Sequence, residues 1–507
     1  MISHESENVG ADTPVPAAAV AESHSAIVVF FGDRAYKIKK PLDLGFLDFS
    51  TVEAREVACR DELELNRRLS PDVYLDVSQV LDGEGRTCEW ILVMLRMPAT
   101  RRLSTLVTRG VDVRPALRKL ARMVASFHSH AARGPEIDAA GRPAALRKRW
   151  SDNFAGTAPF VGNLVDRADL DEIRTLALAY VDGRTRLLEE RAEGGYVVDG
   201  HGDLQAEDIF CLDDWPRVLD CLEFDDALRY VDGLDDAAFL AMDLERLGAP
   251  ELGRQFLTWY REFSGGQVAL TLAHHYIAYR AFVRAKVACL RHAQGATDAA
   301  AAVRQLIGLT LEHLRAGQVR LVLVGGLPGT GKSTIGGALA DRLGAVLLRT
   351  DEIRRELPGA AGLPAQAGYG RGLYGGARVH DTYEEMLARA RTLLEHGESV
   401  VLDASWSTGH ERESARRLAR DGRAALTELR CVVPQEVAGQ RLQARVGDMS
   451  DATAEIAARM SADFDPWPES SSIDNSGVLE DAVAAAWRSV DHNRDHPRRS
   501  HAGTGDL

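Results

Sequence analysis

Two hydrophobic patterns follow one another along the first part of the chain. Short strand patterns occur at 26–31, 35–39 and 89–95 and are bounded by turn residues, so these segments are predicted to be strands. Farther along, apolar residues recur at helical spacing over 120–128 and 170–191. This part of the chain is therefore predicted to form a small β-rich lobe followed by a helical lobe.

Further helices are predicted on both sides of this division. Ser50-Thr51-Val52-Glu53 has capping-box spacing, and Ser70-Pro71 ends the helical pattern that follows it. Helical spacing also covers 245–290, where the basic run Arg280 to Lys286 either neutralises an anionic substrate or forms a solvated helix face. We favour the solvated face. Ala299 to Leu314 is interpreted as a connecting helix.

The carboxy-terminal half alternates strand and helix patterns. A capped helix is predicted from Thr382 to about Gly397, and its apolar stripe is interpreted as core. Such alternation predicts a doubly wound α/β domain with a parallel sheet. Its predicted strands are Leu321–Val324, Ala345–Leu348, Ser399–Leu402 and Leu426–Val432.

Length and composition indicate a multidomain globular protein. The chain has 507 residues, too many for one ordinary core, and its 45% hydrophobic and 27% charged residues suit a folded protein. We predict a multidomain α+β and α/β architecture. The predicted segments are a flexible arm at 1–22, a first domain at 23–292, a helical linker at 293–317, a second domain at 318–490 and a flexible tail at 491–507.

Net charge and cysteine spacing argue against a protein that coats nucleic acid and against a disulfide-rich protein. The net charge of -14 disfavours a protein that coats nucleic acid, and small phosphorylatable substrates fit better. Six scattered cysteines form no C-x-x-C pair, so reduced thiols are expected. The sequence offers neither a signal-peptide pattern nor an apolar run long enough to cross a membrane. We expect a cytoplasmic protein, and the oligomeric state stays open.

The clearest chemical motif is V-G-G-L-P-G-T-G-K-S-T at 324–334, which contains the full P-loop (Walker A) pattern G-x-x-x-x-G-K-[ST]. A buried strand precedes it and a helix follows it, as an anion site requires. Lys332 is suited to the β/γ-phosphates of ATP and the Ser333 hydroxyl to Mg²⁺. The predicted nucleotide-binding residues are Gly326, Gly329, Thr330, Gly331, Lys332, Ser333 and Thr334.

Acidic residues at two strand ends complete this second site. Ligands of open parallel sheets bind outside the carboxyl ends of the strands, where Asp351 and Asp403 are expected. Asp403 ends an apolar run and is predicted to hold Mg²⁺ through water or to orient the site. Asp351 is predicted to meet an acceptor hydroxyl, with Arg354 available for substrate or phosphate; a helix N-cap is its alternative role.

Carboxylates in the first half have the spacing of a kinase catalytic loop. Asp203 and Asp208 reproduce D-x-x-x-x-N with Asp in place of Asn, and an aspartate still suits a hard cation. Downstream, Asp220 ends a short apolar run where phosphoryl transfer needs another Mg²⁺ ligand. Together these three residues indicate a phosphotransfer centre separate from the P-loop.

This half resembles the aminoglycoside phosphotransferase-like family, whose fold is protein-kinase-like and bilobal. The resemblance rests on H-G-D-L-Q-A-E-D-I-F at 201–210, L-D-C-L-E-F-D at 219–225 and D-D-A-A-F-L-A-M-D-L at 235–244. It implies Asp203 as catalytic base and Asp208 and Asp220 as Mg²⁺ ligands, with support from Asp225 or Glu223.

The same resemblance assigns the groups that face the nucleotide in the first lobe. Ala35-Tyr36-Lys37 is similar to the end of the kinase lysine strand, which makes Lys37 the partner of the α/β-phosphates, with Lys39 as its rival. Glu62 fits the ion-pairing helix glutamate better than Glu64. The sequence departs from the kinase pattern in lacking a glycine-rich loop before the lysine strand, and only one clear strand precedes it; a turn near Ser23-His24-Ser25 could cover the phosphates.

The second half resembles small P-loop kinases of the gluconate, shikimate and chloramphenicol phosphotransferase type. Arg441 and Arg445 lie four residues apart, as lid arginines that neutralise the transferred phosphate would. The segment from Gly359 to Gly376 is either a mobile acceptor loop or a passive one. The order of the two halves resembles bacterial fusions of these two kinase types.

These resemblances imply an ATP- and Mg²⁺-dependent phosphotransferase for a small-molecule acceptor, with two candidate sites. One alternative is a regulator that joins a ligand-sensing pseudokinase to an NTPase switch, which the missing glycine loop favours. A polynucleotide-end kinase is the other, because P-loop kinases also serve nucleic acids.

Overall fold

The computed structural model describes residues 18–22, 25–43, 48–266, 268–358, 376–444 and 454–495. These residues form two compact units. The first takes its described residues from Met1–Arg167, Glu189–Gln267 and Tyr276–Thr310, and the second from Ala168–Leu188, Val268–His275 and Leu311–Leu507. The segments 168–188 and 268–275 thus belong to the second unit although they precede residue 292; the domain limits read from the sequence stay predictions.

Five described strands of the first unit form an antiparallel sheet in the order β1-β2-β3-β5-β4. Helix α1 (Val52–Arg67) packs against β4 and β5, and Thr51 caps it by accepting a hydrogen bond from Ala54 N. The apolar side of this layer includes Val28, Cys59 and Leu92. The strands are β1 (Ala18–Glu22), β2 (Ala26–Phe31), β3 (Arg34–Lys39), β4 (Tyr74–Leu81) and β5 (Thr87–Leu95).

Strand β1 corrects two expectations. Residues 18–22 are not part of a flexible arm, because they pair with β2 from Ala18↔Phe31 to Glu22↔Ile27. Two strands, and not one, therefore precede the lysine strand β3. The A-A-V-A-E segment has no apolar alternation to reveal it, but an edge strand needs only backbone hydrogen bonds to one neighbour.

The helical lobe of the first unit surrounds one deeply buried helix. Helix α9 is buried from Gly233 to Leu244. Short antiparallel pairs, β6 with β9 and β7 with β8, flank the loop at 200–208. The strands are β6 (Val197–Asp199), β7 (Ile209–Cys211), β8 (Pro216–Val218) and β9 (Tyr230–Asp232). The helices from residue 103 to 316 are α2 (Leu103–Thr108), α3 (Arg114–His130), α4 (Pro135–Ala140), α5 (Pro143–Thr157), α6 (Arg167–Gly183), α7 (Thr185–Glu193), α8 (Asp226–Arg229), α9 (Gly233–Arg246), α10 (Pro250–Ser264), α11 (Leu270–Ala293) and α12 (Ala299–Ala316).

The second unit contains a parallel sheet whose five described strands lie in the order β11-β12-β10-β13-β14. Val324 and Arg349 both pair with Asp403, so the carboxyl ends of three strands lie at one edge. The strands are β10 (Arg320–Gly325), β11 (Val346–Arg349), β12 (Val400–Asp403), β13 (Ala425–Val432) and β14 (Ser471–Asp474). The helices are α13 (Lys332–Leu343), α14 (Thr350–Glu356), α15 (Gly376–Glu395), α16 (Gly409–Asp421), α17 (Gln435–Gln443), α18 (Ala454–Ala462) and α19 (Leu479–Asp495).

Two boundaries in the second unit differ from the sequence prediction. Helix α15 begins at Gly376 and not at Thr382, whose hydroxyl bonds the Arg378 carbonyl inside the helix and caps nothing. Helix α19 continues to Asp495, so residues 491–495 do not belong to a flexible tail.

The predicted fold class is confirmed. A β-rich lobe followed by a helical lobe, with the catalytic-loop motif between short strand pairs, is a bilobal protein-kinase-like fold, and the second unit is a doubly wound α/β domain. Among the described residues, none of the helices combines the length and apolar character needed to cross a bilayer.

Candidate functional site

Lys37 lies at the centre of a cluster of ions in the first unit. Its Nζ is 2.7 Å from Glu62 Oε1 and 2.7 Å from Asp220 Oδ1, which joins strand β3, helix α1 and the loop after β8. Burial opposes the charged amine, but the carboxylates of Asp220 and Glu62 outweigh it and raise the pKa of Lys37 well above its usual value. The site therefore holds a charged lysine beside the predicted metal ligand.

Asp220 occupies an unusual backbone conformation. Its φ of 62° is in the left-handed region, which costs a non-glycine residue roughly 1–3 kcal/mol. The Asp220 N–H donates to the Tyr74 hydroxyl at 3.0 Å, and the carboxylate reaches Lys37. Lys37 holds the pKa of the Asp220 carboxyl below its usual range although burial acts in the opposite direction. Asp220 is thus ionised, as a metal ligand must be.

Lys39, the rival of Lys37, has a different carboxylate partner. Its Nζ is 2.5 Å from Glu62 Oε2 and 2.5 Å from Glu223 Oε1, and its side chain is only 1% exposed. Both lysines point to one face of β3, as residues two apart on a strand do. Glu62 is completely buried between them, whereas Glu64 is exposed. Lys37 is therefore the lysine that contacts Asp220, and Glu62 is the helix acid that both lysines share.

Helix α9 shapes the predicted catalytic loop through two buried aspartates. Asp236 accepts hydrogen bonds from the N–H groups of His201, at 2.7 Å, and Gly202, at 2.9 Å. Asp243 accepts one from Ala206 N at 2.9 Å. Carboxylates that accept backbone N–H groups fix the course of a loop. Helix α9 therefore fixes the loop that carries Asp203 on both sides of that residue.

The three predicted catalytic and metal-binding acids of the first unit lie close enough to perturb one another. Burial, followed by the negative charges of Asp220 and Asp203, raises the pKa of the Asp208 carboxyl well above its usual value. Burial raises the pKa of Asp203 as well. Mutual repulsion among half-buried carboxylates is relieved by a bound cation. Asp208 and Asp220 thus suit Mg²⁺, which commonly takes one or two carboxylates together with substrate phosphates.

Neighbouring residues have other roles than those suggested by sequence. Asp225 caps helix α8 by accepting from Ala227 N, and Glu223 pairs with Lys39, so neither contacts Asp220 directly in the described contacts. The basic run from Arg280 is not a solvated face. Arg280 is 5% exposed, binds Asp235 at 2.7 Å and donates to the Gly202 carbonyl at 3.2 Å. A buried arginine of this kind must be paired, and a pattern of charges cannot show which partner it has.

In the second unit, the glycine-rich segment connects the buried strand β10 to helix α13, which begins at Lys332. Gly331 has φ 80°, and a Cβ there would lie 2.1 Å from Asn475 Nδ2. Asn475 donates to the Thr330 carbonyl at 2.9 Å, and its own backbone N–H donates to the Val432 carbonyl. A buried amide thus fastens the loop to the end of β14.

The remaining loop residues are arranged around the start of helix α13. Gly326 N donates to the Ser405 carbonyl at 3.2 Å, and Gly329 has φ 87°. Lys332 and Ser333 are half-buried and Thr334 is exposed in the first turn. The free N–H groups of a helix N-terminus favour a bound anion, so this arrangement suits phosphate.

Arg441 and Arg445 differ in what is described of them. Arg441 is half-buried and donates to the Asn475 carbonyl at 2.8 Å, which brings a guanidinium close to the loop. Arg445 lies outside the described residues, as do residues 359–375 of the predicted acceptor loop and Ser23-His24 of the predicted phosphate-covering turn.

The strand-end acids of the second unit are Asp403 and Asp351. Asp403 Oδ2 accepts from Arg349 Nε at 3.2 Å, while Asp403 Oδ1 is buried and has no hydrogen-bond partner among the described residues. Such an orphaned carboxylate oxygen beside a phosphate loop fits a hydrated Mg²⁺. Asp351 is not an N-cap, because it lies in the first turn of α14 and pairs with Arg354 at 2.6 Å.

The described residues contain no group of three or more His, Cys, Asp or Glu side chains suited to hold a metal ion without further ligands. A cation at either site would therefore depend on phosphate and water for its other ligands.

Some residues that position the site were not assigned from the sequence. Asp236 and Asp243 lie within the 235–244 motif that carried the kinase resemblance, so the motif itself contained the signal. Asn475 follows a four-residue edge strand without a motif, and its contact with Thr330 spans 145 positions. No local pattern identifies such a partner.

The chain is similar to a family model in its second half and to known proteins over nearly its whole length. Residues 321–467 match the family model described as an AAA domain. The uncharacterized protein Rv2004c of Mycobacterium tuberculosis (strain ATCC 25618 / H37Rv) and the uncharacterized protein Mb2027c of Mycobacterium bovis (strain ATCC BAA-935 / AF2122/97) are each 45% identical to the chain over 483 residues. The alignments cover 94% of the chain and 97% of each relative.

Solved structures align with parts of the chain. A choline/ethanolamine kinase family protein from Mesorhizobium loti is 13% identical, with 59% of this chain and 92% of that chain covered and a TM-score of 0.38. The GDP and kanamycin complex of APH(2")-IIia is 15% identical, with 60% and 94% covered and a TM-score of 0.39. A sugar kinase from Janibacter sp. HTCC2649 is 20% identical, with 34% and 95% covered and a TM-score of 0.28.

The first unit has a bilobal protein-kinase-like fold and the second a doubly wound α/β fold, and the relatives match the chain across nearly its whole length. The chain therefore belongs to the family of the uncharacterized mycobacterial proteins Rv2004c and Mb2027c, and it joins a unit with a protein-kinase-like fold to a P-loop unit that matches the AAA domain model.

Proposed function

We propose that this protein is a phosphotransferase that uses ATP and Mg²⁺ to phosphorylate a hydroxyl group of a small-molecule acceptor. The observation that carries the proposal is the partly buried pairing of Lys37 with Glu62 and Asp220, 2.7 Å from each. A charged lysine, a helix glutamate and an ionised aspartate in this arrangement are the groups that phosphoryl transfer in kinases requires.

Each residue of the first site has a proposed role. Lys37, oriented by Glu62, binds the α/β-phosphates. Asp208 and Asp220 hold Mg²⁺, which when bound supplies neutralising charge at the transferred phosphoryl group. Asp203 accepts the proton of the acceptor hydroxyl, and its raised pKa makes it a better base than an ordinary aspartate.

The second site has a parallel set of roles. Lys332 binds the β/γ-phosphates, and Ser333 and Asp403 hold Mg²⁺ directly or through water. Asp351 orients the acceptor hydroxyl, and Arg441 lies near enough to the loop to bind phosphate. The orphaned Asp403 Oδ1 supports a cation at this position.

Turnover with a panel of hydroxyl compounds tests the proposal. ADP release and phosphorylated product would be measured for the full chain and for Asp203→Asn, Lys332→Ala and the double variant. Loss of a general base typically costs about 10²- to 10⁴-fold, so Asp203→Asn is expected to lose the product of the first site. Lys332→Ala removes the charge that binds the β/γ-phosphates and is expected to lose the product of the second site.

Other outcomes distinguish the alternatives. Acceptor-independent ADP release that only Lys332→Ala abolishes would favour a regulator with an NTPase switch. Strongly salt-dependent binding of oligonucleotides, with phosphorylation of their ends, would favour a polynucleotide-end kinase.

A further inference from the structure

Five charged side chains of the first unit form a continuous chain of ion pairs that runs from Asp220 to Glu223 and has Glu62 as its central member. Lys37 and Lys39 come from one strand, and Asp220 and Glu223 come from one loop. Each lysine is ion-paired with one oxygen of Glu62 and with one acid of the loop, at distances of 2.5–2.7 Å, and the contact of Lys39 with Glu62 Oε2 is an ion pair without hydrogen-bond geometry. Two carboxylate oxygens of the same residue thus serve two separate lysines.

The proposed reaction requires Lys37 and Asp220, at one end of this chain of ion pairs, to bind new partners. When nucleotide binds, Lys37 must share its donors with the α/β-phosphates, and Asp220 must turn its oxygens to the cation. Glu62 is 0% exposed, so a loss of its partner would leave a buried charge unpaired. That loss is strongly destabilising in a protein interior.

Lys39 is placed to prevent this loss. It is 1% exposed, it contacts Glu62 Oε2 at 2.5 Å, and its Nζ lies 5.2 Å from the centre of the Phe49 ring. Burial opposes its charge, but Glu62 and Glu223 outweigh burial and raise the pKa of Lys39. Its partner Glu223 follows Asp220 by three residues, so Lys39 also fastens the loop that carries the predicted metal ligand.

Resting on the proposed function, we propose that Lys39 is a positioning residue: it holds Glu62 on helix α1 and Glu223 beyond Asp220, so that Lys37 is free to bind phosphate. Lys39 itself does not contact the nucleotide. In the usual kinase arrangement one lysine both binds phosphate and pairs with the helix glutamate, whereas here Lys37 binds phosphate and Lys39 holds Glu62. Lys39 thus keeps the lobe ordered although the sequence before β3 has no glycine-rich loop.

The test uses the full chain with Lys332→Ala, which removes the contribution of the P-loop site. Into this parent are introduced Lys37→Met, Lys39→Met, Glu223→Gln and the double variant Lys39→Met/Glu223→Gln. Lys40→Met is the matched control, because the neighbouring Lys40 pairs with the exposed Glu22 and such pairs contribute little. The measurements are the affinity for a fluorescent ATP analogue with Mg²⁺, the KM for ATP, kcat and Tm.

Lys39→Met is expected to raise the KM for ATP and weaken analogue binding by about 10- to 100-fold, the usual effect of removing a supporting partner. Glu223→Gln should weaken binding in the same direction, and the double variant should be no weaker than Lys39→Met, because both changes break one interaction. Lys40→Met should match the parent. Lys37→Met should lose turnover altogether.

Contrary results are equally clear. A folded Lys39→Met protein with the KM and affinity of the parent would overturn the proposal, as would additive effects of Lys39→Met and Glu223→Gln. If Lys39→Met does not fold, Glu223→Gln, which preserves the shape of the side chain, decides alone. If the parent binds the analogue but has no turnover, the proposed function fails at this site while the binding data still decide the role of Lys39.

Discussion

Asp208 is held in an environment that disfavours its charge. Burial and the nearby carboxylates of Asp220 and Asp203 raise its pKa well above the ordinary value. Lys37 bonds Asp220 and not Asp208, so the compensation for Asp208 must come from elsewhere. Under the proposed function a bound cation would supply it, so the metal-free protein should be less stable with an ionised carboxylate at this position.

We predict that Asp208→Asn stabilises the metal-free protein at neutral pH. A carboxyl whose pKa is raised by folding favours the folded state while protonated, and this contribution is lost as pH rises from the unfolded value of about 4 through the raised folded value. Each 1 kcal/mol shifts Tm by about 2–4 °C for a unit of this size. Thermal unfolding without divalent metal should therefore show a higher Tm for Asp208→Asn above this pH range and no gain below it.

Magnesium should reverse this difference. Mg²⁺ with an ATP analogue should raise the Tm of the unaltered protein more than that of Asp208→Asn, while the exposed Asp33→Asn control should follow the unaltered protein. A lower Tm for metal-free Asp208→Asn at neutral pH would contradict the assignment.

Two glycines near the start of helix α13 are in opposite situations. Gly331, at the N-cap, has φ 80°, and an added Cβ would lie 2.1 Å from the amide of Asn475. Gly337 is inside the helix, and nothing lies within 4 Å of its added Cβ. The same substitution thus has different consequences one and a half turns apart.

We predict that Gly331→Ala destabilises the second unit by about 1–3 kcal/mol and weakens nucleotide binding, because it strains the backbone and displaces Asn475 from the Thr330 carbonyl. Gly337→Ala should stabilise by about 0.5–1 kcal/mol, as alanine does inside a helix. Thermal unfolding and titration with Mg²⁺ and ATP measure both effects. Equal effects of the two substitutions would contradict the described loop geometry.

Local patterns revealed the elements that carry their own signal. The fully buried strand β10 and the capped helix α1 could be predicted because burial on both faces and capping leave marks in neighbouring residues. Strands β1 and β14 could not be predicted from A-A-V-A-E and S-S-I-D, because edge strands form through backbone bonds to a partner distant in sequence. Helix α15 began earlier than predicted because a capping-box pattern also occurs inside helices.

The site shows the same limit for side chains. The P-loop and the spacing of Asp203 and Asp208 lie within short motifs, so the sequence alone reveals them. The family resemblance gave Lys37 and Asp220 separate roles, and their direct contact, which spans 183 positions, was not predicted. No sequence motif indicates that Lys39 pairs with Glu223, and only the folded structure shows this contact.

The whole chain joins two units, each with its own proposed phosphate site. The protein-kinase-like unit supplies Lys37 and the P-loop unit supplies Lys332, and neither residue belongs to the other unit. If both sites are functional, the chain should bind nucleotide in two independent places even when no acceptor is known.

The stoichiometry of ATP-analogue binding in the presence of Mg²⁺, measured by isothermal titration on the full chain, tests this account. We expect two nucleotides bound per chain, one in Lys37→Met, one in Lys332→Ala and none in the double variant. A single nucleotide per chain that disappears in Lys332→Ala and is unaffected by Lys37→Met would contradict the account.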